Sequence, residues 1–531
     1  MEFNLADLFE SVVDTVPERE ALVCGGTRLT FAELDARANR LAHHLASAGV
    51  GPGDHVGVQL YNGPEYVETL LGCLKLRAVP VNINYRYVAD ELAYLYRDAD
   101  LVALVFDGEF APRAAAARTQ ALRHLVVVGG ETDGAVSYPD ALAQASPERG
   151  FGPRSADDHY IIYTGGTTGM PTGVLWRHED LFFAGMGGGD PTGQPVKTPA
   201  ELAERVAASY PLVMFPVAPL MHGAAQLATF IGFWGGRKVV LVRRFDAEEV
   251  VRAIAAEKVN AANIVGDAMA RPIVDALAGP LAGTDTSSLF AISSAGAILS
   301  ASVKERLREL LPNTLLLDNF GASESGFNGT GVAGSSPEAG LRFTVNERTS
   351  VLDEQLRPVV PGSGAVGRVA QRGHVPLGYY KDPEKTAQVF VEIDGERWVL
   401  LGDLAKVESD GTVHVLGRGA VCINTGGEKV FPEEVEAVLK AHPAVFDAVV
   451  AGVPDERYGE RVTAVVQFRA AAPAPAGAEL DAHCRERLSG YKVPRGYVVV
   501  DEVRRSPSGK PDYRWARETA RSATAAHEPA G

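Results

Sequence analysis

Hydrophobic and polar positions in the first 150 residues alternate between helical and strand periods. Thr30 and Glu33 have the spacing of a capping box, and apolar residues then recur at helical spacing until Gly49. Short apolar runs predict strands at residues 55–60, 101–106, 124–128, 238–242 and 262–265. Helical stretches separate the runs of the N-terminal part. This alternation predicts an α/β fold with mostly parallel sheets.

After residue 417 the sequence pattern changes and indicates a second, smaller domain. Pro432 at a helix start, three glutamates in the following turn and Lys440 near the end predict a helix. Strand-like runs follow at 448–453 and 462–468. We therefore predict a large N-terminal domain of layered sheets and helices and a small mobile α+β domain. Their bounds are predicted as 1–417 for the N-terminal domain, 418–420 for a hinge, 421–519 for the C-terminal domain and 520–531 for a frayed tail.

Composition narrows the class of protein. The chain has 531 residues, too many for one ordinary core, and 51 basic against 67 acidic residues give a net charge of −16. This charge disfavours nucleic-acid binding, so a phosphorylated ligand needs local donors. No apolar run is long enough for a membrane span, and the acidic N-terminus does not resemble a signal peptide. The four scattered cysteines encode neither a disulfide framework nor a zinc cage. We expect a cytoplasmic enzyme.

Residues 163–174 (YTGGTTGMPTGV) carry the strongest chemical signal. Four glycines lie among hydroxyl residues after an apolar strand, and such a loop can wrap phosphate oxygens with backbone N–H groups. The Walker pattern is absent, which excludes an ordinary P-loop NTPase. A flexible surface loop is the alternative interpretation. The predicted phosphate contacts are Thr164, Gly165, Gly166, Thr167, Thr168 and Gly169.

This loop resembles the phosphate loop of the adenylate-forming superfamily, which contains acyl-CoA synthetases, peptide-synthetase adenylation domains and luciferases. Further segments of the family pattern follow in order at residues 218–223, 294–297, 319–324, 401–403, 417–418 and 507–510. They extend over nearly the whole chain. Because both the residues and their order match, the chain is identified as a member of this superfamily.

The resemblance implies a nucleotide site for ATP or AMP. Adenine would be flanked by Gly296 and Ala297 and contacted by the segment Asn319, Phe320, Gly321, Ala322 and Ser323. The ribose hydroxyls would donate to Asp403 and accept from Arg418. A lone Asp or Arg is usually a surface charge, so these two roles depend on the order of the motifs.

Two further residues would carry the chemistry. ATP and a carboxylate are both anions, so their reaction needs preorganised positive charge, and the resemblance implies Lys510 as the catalytic lysine that bridges them. Without the family, Lys510 is only a solvated charge. Glu324 would be the second catalytic residue and would hold Mg²⁺. The acyl pocket would be lined by His222, Gly296 and Gly321, although a satisfied core histidine is an alternative for His222.

Residues 422–432 resemble the coenzyme A segment of the family. Gly426 and Gly427 let the backbone approach a thin pantetheine arm, and Glu428 completes the segment. A tight turn before the helix at Pro432 is an equally valid interpretation and does not exclude the first. Together with residues 176–178, the motifs resemble acyl-CoA synthetases of actinobacteria that act on steroid side chains and related bulky acids.

The chain departs from the family pattern at two positions. Thr172 stands where the family usually has a lysine, so we expect weaker stabilisation of pyrophosphate, and Arg177 is a candidate for the missing charge. Ala420 stands where the family has Asp or Lys as the swivel between two domain orientations. A hinge needs permissive backbone angles more than charge, so we expect rotation to survive.

The leading hypothesis is an acyl-CoA synthetase that uses ATP, Mg²⁺ and coenzyme A to activate a bulky carboxylic acid (fatty, steroid or terpenoid) through acyl-AMP. One alternative is an enzyme that only transfers the acyl group of supplied acyl-AMP to coenzyme A. Another is a non-catalytic nucleotide- or acyl-binding paralogue. The sequence leaves the identity of the acid and the oligomeric state open.

Overall fold

The structure is a computed structural model that describes residues 1–164, 170–297, 299–332, 341–425, 428–455, 459–470, 475–488, 490–505 and 509–525. These residues form 16 α-helices and 27 strands. The helices are α1 (Leu5–Thr15), α2 (Phe31–Ser47), α3 (Pro64–Leu76), α4 (Ala89–Asp98), α5 (Ala111–Ala116), α6 (Tyr138–Ala143), α7 (His178–Gly185), α8 (Pro199–Ala208), α9 (Gly223–Trp234), α10 (Ala247–Glu257), α11 (Gly266–Ala278), α12 (Ala301–Leu310), α13 (Pro383–Val389), α14 (Pro432–Lys440), α15 (Gly477–Arg485) and α16 (Tyr513–Ala525).

The strands are β1 (Glu20–Cys24), β2 (Thr27–Thr30), β3 (His55–Gln59), β4 (Val79–Asn82), β5 (Leu101–Asp107), β6 (His124–Val128), β7 (Val136–Ser137), β8 (His159–Thr164), β9 (Thr172–Arg177), β10 (Val213–Pro216), β11 (Lys238–Leu241), β12 (Ala261–Ile264), β13 (Ala291–Ser294), β14 (Leu315–Ala322), β15 (Gly326–Val332), β16 (Leu341–Val345), β17 (Thr349–Leu352), β18 (Gly367–Arg372), β19 (Gly378–Tyr379), β20 (Phe390–Ile393), β21 (Glu396–Val407), β22 (Val413–Arg418), β23 (Ile423–Thr425), β24 (Glu428–Val430), β25 (Val445–Asp455), β26 (Gly459–Phe468) and β27 (Gly496–Val499).

The strands form three sheets. One has the order β17-β18-β21-β22-β16-β15-β14-β13-β12-β10-β11-β1-β2, with β20 beside β21, and the second has the order β19-β9-β8-β4-β3-β5-β6-β7. Within these two sheets β10 to β14 and β3 to β8 contribute parallel pairs, as the alternating pattern predicts. Helices cover the sheets and enclose a large apolar core. The α/β fold class is confirmed.

The local signals that predicted these elements act as expected. The hydroxyl of Thr30 accepts from the Glu33 N–H, and the Glu33 carboxylate accepts from the Thr30 N–H, so α2 begins with a complete capping box. The five predicted strands appear as β3, β5, β6, β11 and β12 with bounds shifted by at most one residue. Hydrophobic period and capping chemistry are therefore sufficient to locate these elements.

The third sheet, β24-β23-β26-β25 with β27 beside β26, belongs to the small C-terminal α+β unit. Alternate residues of β25 face opposite sides: Ala448 and Val450 pack in one core, and Val449 and Ala451 pack in another. Helices α14 and α15 cover the first side and α16 covers the second. Because both faces of β25 are buried, its sequence is a continuous apolar run rather than an alternating one.

The predicted frayed tail from Ala520 is wrong for its first residues. Helix α16 continues to Ala525, and Ala516 and Ala520 are fully buried against the sheet. The two alanines are four residues apart and therefore lie on the same face of α16. The prediction of a frayed tail did not take their apolar contact with the sheet into account. Residues 526–531 lie outside the described residues. None of the helices in the described ranges combines the length and apolar character that a bilayer span requires.

Candidate active site

One group of the predicted site residues lies where parallel strands of the two large sheets end. Thr164 ends β8, Gly296 follows β13, and the segment 319–324 ends β14 and begins the next turn. His222 lies between β10 and α9, and a Cβ placed at Gly223 would lie 2.8 Å from Ile162 Cγ2 of β8. In α/β sheets the carboxyl ends of strands are the usual place for a ligand.

A buried asparagine connects the two sheets at this edge. Asn82 at the end of β4 donates to the Tyr163 carbonyl at 2.9 Å and accepts from the Tyr163 N–H at 2.7 Å. Its amide also donates to the carbonyl of Met221 at 2.7 Å. Asn82 therefore fixes the start of the glycine-rich loop relative to the segment that carries His222. Sequence reasoning missed Asn82, for which the only signal is a polar residue at the end of an apolar strand.

The predicted phosphate loop is described at its flanks. Thr164 and Thr172 lie opposite each other in the antiparallel pair β8 and β9. The predicted contacts Gly165, Gly166, Thr167, Thr168 and Gly169 lie outside the described residues. Both ends of the loop are therefore held by the same strand pair at the edge of the site.

Thr172 has a cationic neighbour that the sequence does not reveal. Lys385 of α13 donates from Nζ to Thr172 Oγ1 at 3.2 Å. Arg177 is instead engaged by three carboxylates: Asp157 at 2.6 Å, Glu179 at 3.1 Å and Asp180 at 3.2 Å. The expectation that Arg177 supplies the missing charge is wrong, because it lies at the other end of β9.

Glycine is required at two positions of the predicted adenine segments. Gly296 has a φ of +80°, a left-handed conformation that other residues adopt only at a cost. A Cβ placed at Gly321 would lie only 2.2 Å from the Gly326 carbonyl oxygen, across an irregular register between β14 and β15. Beside it, Phe320 stacks on Phe343 with ring centroids 5.2 Å apart. Asn319 accepts from Thr330 at 3.0 Å.

The turn after Ala322 is held by a buried polar network. The Ser325 hydroxyl donates to Asn328 at 2.6 Å, Asn328 donates to Gln371 at 2.6 Å, and Gln371 donates back to the Ser325 carbonyl at 2.6 Å. The indole of Trp176 in β9 donates to the Ser323 carbonyl at 3.0 Å. These bonds fix the backbone on both sides of Glu324.

Glu324 itself accepts from the Tyr379 hydroxyl at 2.9 Å through Oε1. Within the described ranges, no lysine or arginine nitrogen lies within ion-pair distance of its carboxylate. Nor do those ranges contain a group of three or more His, Cys, Asp or Glu side chains with metal-site geometry. This arrangement fits a Mg²⁺ ion that takes one protein carboxylate and otherwise phosphate oxygens and water.

The two predicted ribose residues are direct partners across the sheet. Asp403 in β21 pairs with Arg418 in β22 in the antiparallel register. Their positions are therefore adjacent although they are separated by a hairpin in sequence. For Arg418, Ala420 and Glu428 the structure describes the backbone: Ala420 lies in the one-turn 3-10 helix Gly419–Val421, and Glu428 pairs with Thr425. Gly426 and Gly427 lie outside the described residues.

Gly509, which precedes Lys510, lies close to Val265 at the end of β12 in the large domain, and residues 506–508 lie outside the described residues. A Cβ placed at Gly509 would lie 3.1 Å from Val265 Cγ1, and a Cβ placed at Gly296 would lie 3.9 Å from the same methyl group. The loop is tethered by Arg505, which donates to the Gly509 carbonyl at 2.9 Å and to both oxygens of Asp447. The structure thus brings Gly509, the residue before Lys510, to the same methyl group as Gly296, which is more than 200 residues away in sequence.

A charge cluster joins the two domains next to this loop. Asp267 at the start of α11 lies 3.2 Å from Arg271 and 3.6 Å from Lys440 of α14, and it accepts from the Ser300 N–H at 2.8 Å. Burial opposes its ionisation, but the two cations hold the pKa of Asp267 below its usual value. On the C-terminal side, burial raises the pKa of Glu436 to about 7 despite nearby Lys440.

Comparison with known proteins shows the family of the chain. Residues 9–380 match the family described as AMP-binding enzyme, and residues 434–510 match the AMP-binding enzyme C-terminal domain. A medium/long-chain-fatty-acid–CoA/3-oxocholest-4-en-26-oate–CoA ligase of Mycobacterium marinum is 50% identical over 530 residues, 97% of this chain and 96% of that protein. The 3-oxocholest-4-en-26-oate–CoA ligase of Rhodococcus rhodochrous is 49% identical and spans 98% of this chain and 96% of its own length.

Solved structures give the same result for the fold. The crystal structure of ATP-bound MatB from Rhodopseudomonas palustris aligns with a TM-score of 0.83 at 26% identity, covering 98% of this chain and 99% of that one. The anthranilate CoA ligase AuaEII in complex with anthranoyl-AMP also aligns with a TM-score of 0.83, at 24% identity and 98% coverage of each chain. The order of motifs, the fold and the family matches agree, and the chain belongs to the family of AMP-binding enzymes.

Proposed function

We propose that the protein is an ATP-dependent acid–thiol ligase that makes acyl-CoA in two steps. In the first, a carboxylate oxygen attacks the α-phosphorus of ATP, and the bond to pyrophosphate breaks to leave acyl-AMP. In the second, the sulfur of coenzyme A, having lost its proton, attacks the acyl carbonyl, and the C–O bond to AMP breaks. The anhydride is needed because a free carboxylate is a poor electrophile.

One observation supports this proposal: Gly296 and Gly509, the residue before Lys510, lie beside the same Val265 methyl group, since a Cβ added at either glycine would lie 3.9 Å or 3.1 Å from it. A lysine loop from the small domain is thereby held at the strand ends of the large domain. Two reacting anions need positive charge at their meeting point, and preorganised charge of this kind is a large contribution to catalysis. A binding protein without a reaction would not need a second domain to deliver a lysine to this edge.

The remaining roles extend this assignment. We assign the phosphates to Thr164 and the loop 165–169, adenine to Gly296, Ala297 and the segment 319–323, and the ribose to Asp403 and Arg418. Glu324 would hold Mg²⁺, which when bound would offset the charge of the ATP phosphates. The chain's own contribution is to fix that carboxylate through the Tyr379 hydroxyl and the buried network under Ser325.

The second step is assigned to the C-terminal domain. We propose that the domains divide at residue 417, that the backbone at Ala420 is the hinge, and that Gly426, Gly427 and Glu428 contact coenzyme A. The main apolar core includes Val415, whereas Ile423 already packs in the C-terminal core, so residues 418–420 lie where the chain passes from one core to the other. A hinge is expected at such a crossing.

The acid is proposed to be bulky, with His222, Gly296 and Gly321 near its carboxyl end. Two relatives of about 50% identity carry the names of ligases for a medium- or long-chain fatty acid and for a steroid acid. At Gly296, where an added Cβ would meet only Val265 at 3.9 Å, the missing side chain leaves space beside the reacting carbonyl. Burying a ring system contributes about 25 cal/mol per Å² before ordering costs, enough to set a preference.

The test measures both half-reactions separately. ATP–pyrophosphate exchange with acetate, octanoate, palmitate and a polycyclic propanoate reports adenylation, and coenzyme A ester formation from supplied acyl-AMP reports transfer. We expect both reactions, with the highest kcat/KM for the polycyclic acid or palmitate. Transfer without exchange would favour the enzyme that lacks adenylation, and neither reaction would favour a non-catalytic paralogue. A highest kcat/KM for acetate would refute the bulky substrate.

A further inference from the structure

Lys385 lies beside the end of the predicted phosphate loop and has no carboxylate partner among the described residues. Its Nζ lies 3.2 Å from Thr172 Oγ1 and 4.1 Å from the centre of the Tyr379 ring. In the part of the chain that the structure describes, no carboxylate oxygen lies within 4.0 Å of this ammonium group. The side chain is half-buried, so its charge is only partly screened by water.

The backbone around Lys385 is fixed to the strand that follows the loop. Gly378 and Tyr379 of β19 pair with Leu175 and Val174 of β9, and the Tyr380 N–H donates to the Gly173 carbonyl at 2.8 Å. Helix α13 then begins at a capped turn, where the Asp382 carboxylate accepts from the Lys385 N–H at 2.9 Å. The backbone position of Lys385 is therefore fixed by its connection to the sheet.

The same tyrosine connects Lys385 with the carboxylate assigned to Mg²⁺. The face of the Tyr379 ring receives the ammonium of Lys385, while its hydroxyl donates to Glu324 Oε1 at 2.9 Å. An ammonium group has three donors, and Thr172 takes one of them. Lys385 thus retains donors for a ligand that lies between the end of the loop and Glu324.

The local charge balance identifies that ligand as an anion. Residues 164–174 contain no lysine or arginine, and Arg177 is occupied by three carboxylates. The chain as a whole carries a net charge of −16, which does not attract phosphate. Lys385 is therefore the cation that the described structure presents directly at the base of the loop.

We propose that Lys385 binds the β- and γ-phosphates of ATP and the departing pyrophosphate, with Thr172 and Tyr379 as the residues that position it. This inference rests on the proposed function in that ATP is the substrate. It replaces our expectation that a neutral hydroxyl alone faces the pyrophosphate. A charge-assisted hydrogen bond is about twice as strong as a neutral one, so adenylation need not be the weaker step.

The test compares pyrophosphate and AMP binding by titration calorimetry on the full chain with Mg²⁺ present. Lys385→Met keeps the length of the side chain and removes its charge, and Lys381→Met on the same segment, an exposed lysine paired with Asp100, is the matched control. We expect Lys385→Met to weaken pyrophosphate binding by about tenfold to a hundredfold, with AMP binding and the control unchanged. Lys385→Arg should retain most of the affinity.

A second experiment restores the positive charge at a neighbouring position. In the Lys385→Met background, Thr172→Lys should restore pyrophosphate affinity and ATP–pyrophosphate exchange, because it returns one cation to the same place. Unchanged pyrophosphate binding in Lys385→Met, an equal loss of AMP binding, or no measurable pyrophosphate binding by the unmodified protein would overturn the proposal. Failure of the proposed function is a separate result, namely that no acid yields a coenzyme A ester.

Discussion

Replacing Lys440 with methionine should slow adenylation more than acyl transfer. The Lys440 ammonium lies 3.6 Å from the buried carboxylate of Asp267, so this ion pair crosses between the domains beside the loop of Lys510. We propose that the orientation seen in the structure is the one in which acyl-AMP forms. Removing the pair should therefore lower the population of that orientation and leave the other available.

The size of the effect follows from the distance and the surroundings. At an effective dielectric of 20, two unit charges 3.6 Å apart attract by about 4–5 kcal/mol. Much of this is cancelled, because Lys440 no longer has to be dehydrated and Asp267 keeps Arg271 and the Ser300 N–H. A net loss of about 1–2 kcal/mol remains. It corresponds to a shift of about 5- to 30-fold between two orientations.

The assay is the ratio of ATP–pyrophosphate exchange to coenzyme A ester formation from supplied acyl-AMP. Lys492→Met is the matched control, because Lys492 pairs with Glu434 inside the C-terminal domain. We expect the ratio to fall about 5- to 30-fold in Lys440→Met and to stay constant in the control. A constant ratio in Lys440→Met, or equal losses in both variants, would refute the role of this ion pair.

Four further outcomes follow. Lys510→Ala should lower exchange by about 10²- to 10³-fold and spare transfer from acyl-AMP, whereas equal losses would assign Lys510 another role. Glu324→Gln should raise the Mg²⁺ concentration for half-maximal exchange about tenfold or more, and an unchanged requirement would exclude it as a ligand. Gly321→Ala should weaken AMP binding and lower the melting temperature, because its methyl would meet the Gly326 carbonyl oxygen at 2.2 Å, while Gly152→Ala, in open space, should do neither. Glu436 has a pKa near 7 in the folded protein against an ordinary 4.5, so its ionisation costs up to about 3 kcal/mol as the pH rises through that window. Urea unfolding should therefore show Glu436→Gln to be more stabilising at pH 8 than at pH 5, and the same effect at both values would contradict the burial argument.

Local patterns predict the elements well because their causes are local. The capping box at Thr30 and the helix beginning at Pro432 are both set by residues within one or two turns, and both helices form as expected. The motif order likewise identifies the family, which the matches confirm. The roles of individual site residues stay predictions.

The contacts that complete the site were not predictable in this way. Lys385 reaches Thr172 from 213 residues away, and Asn82 reaches Met221 from 139 residues away, so no sequence window contains either pair. The prediction that Arg177 supplies the charge missing at Thr172 is wrong for the opposite reason, because it relied on closeness in sequence. Five residues of extended strand span about 16 Å, so closeness in sequence placed its charge at the wrong end of β9.

The position of Val265 has a consequence for how the enzyme would sense its acid. One Val265 methyl group lies beside both Gly296 and Gly509, since a Cβ added at either glycine would lie within 4 Å of it. If the acyl group borders Gly296 as proposed, a substrate that pushes on this methyl also displaces the catalytic lysine. The shape of the acid would then affect both its binding affinity and the rate at which it is activated. Replacing Val265 with a smaller residue would then lower the selectivity for the acid and raise the rate of its activation.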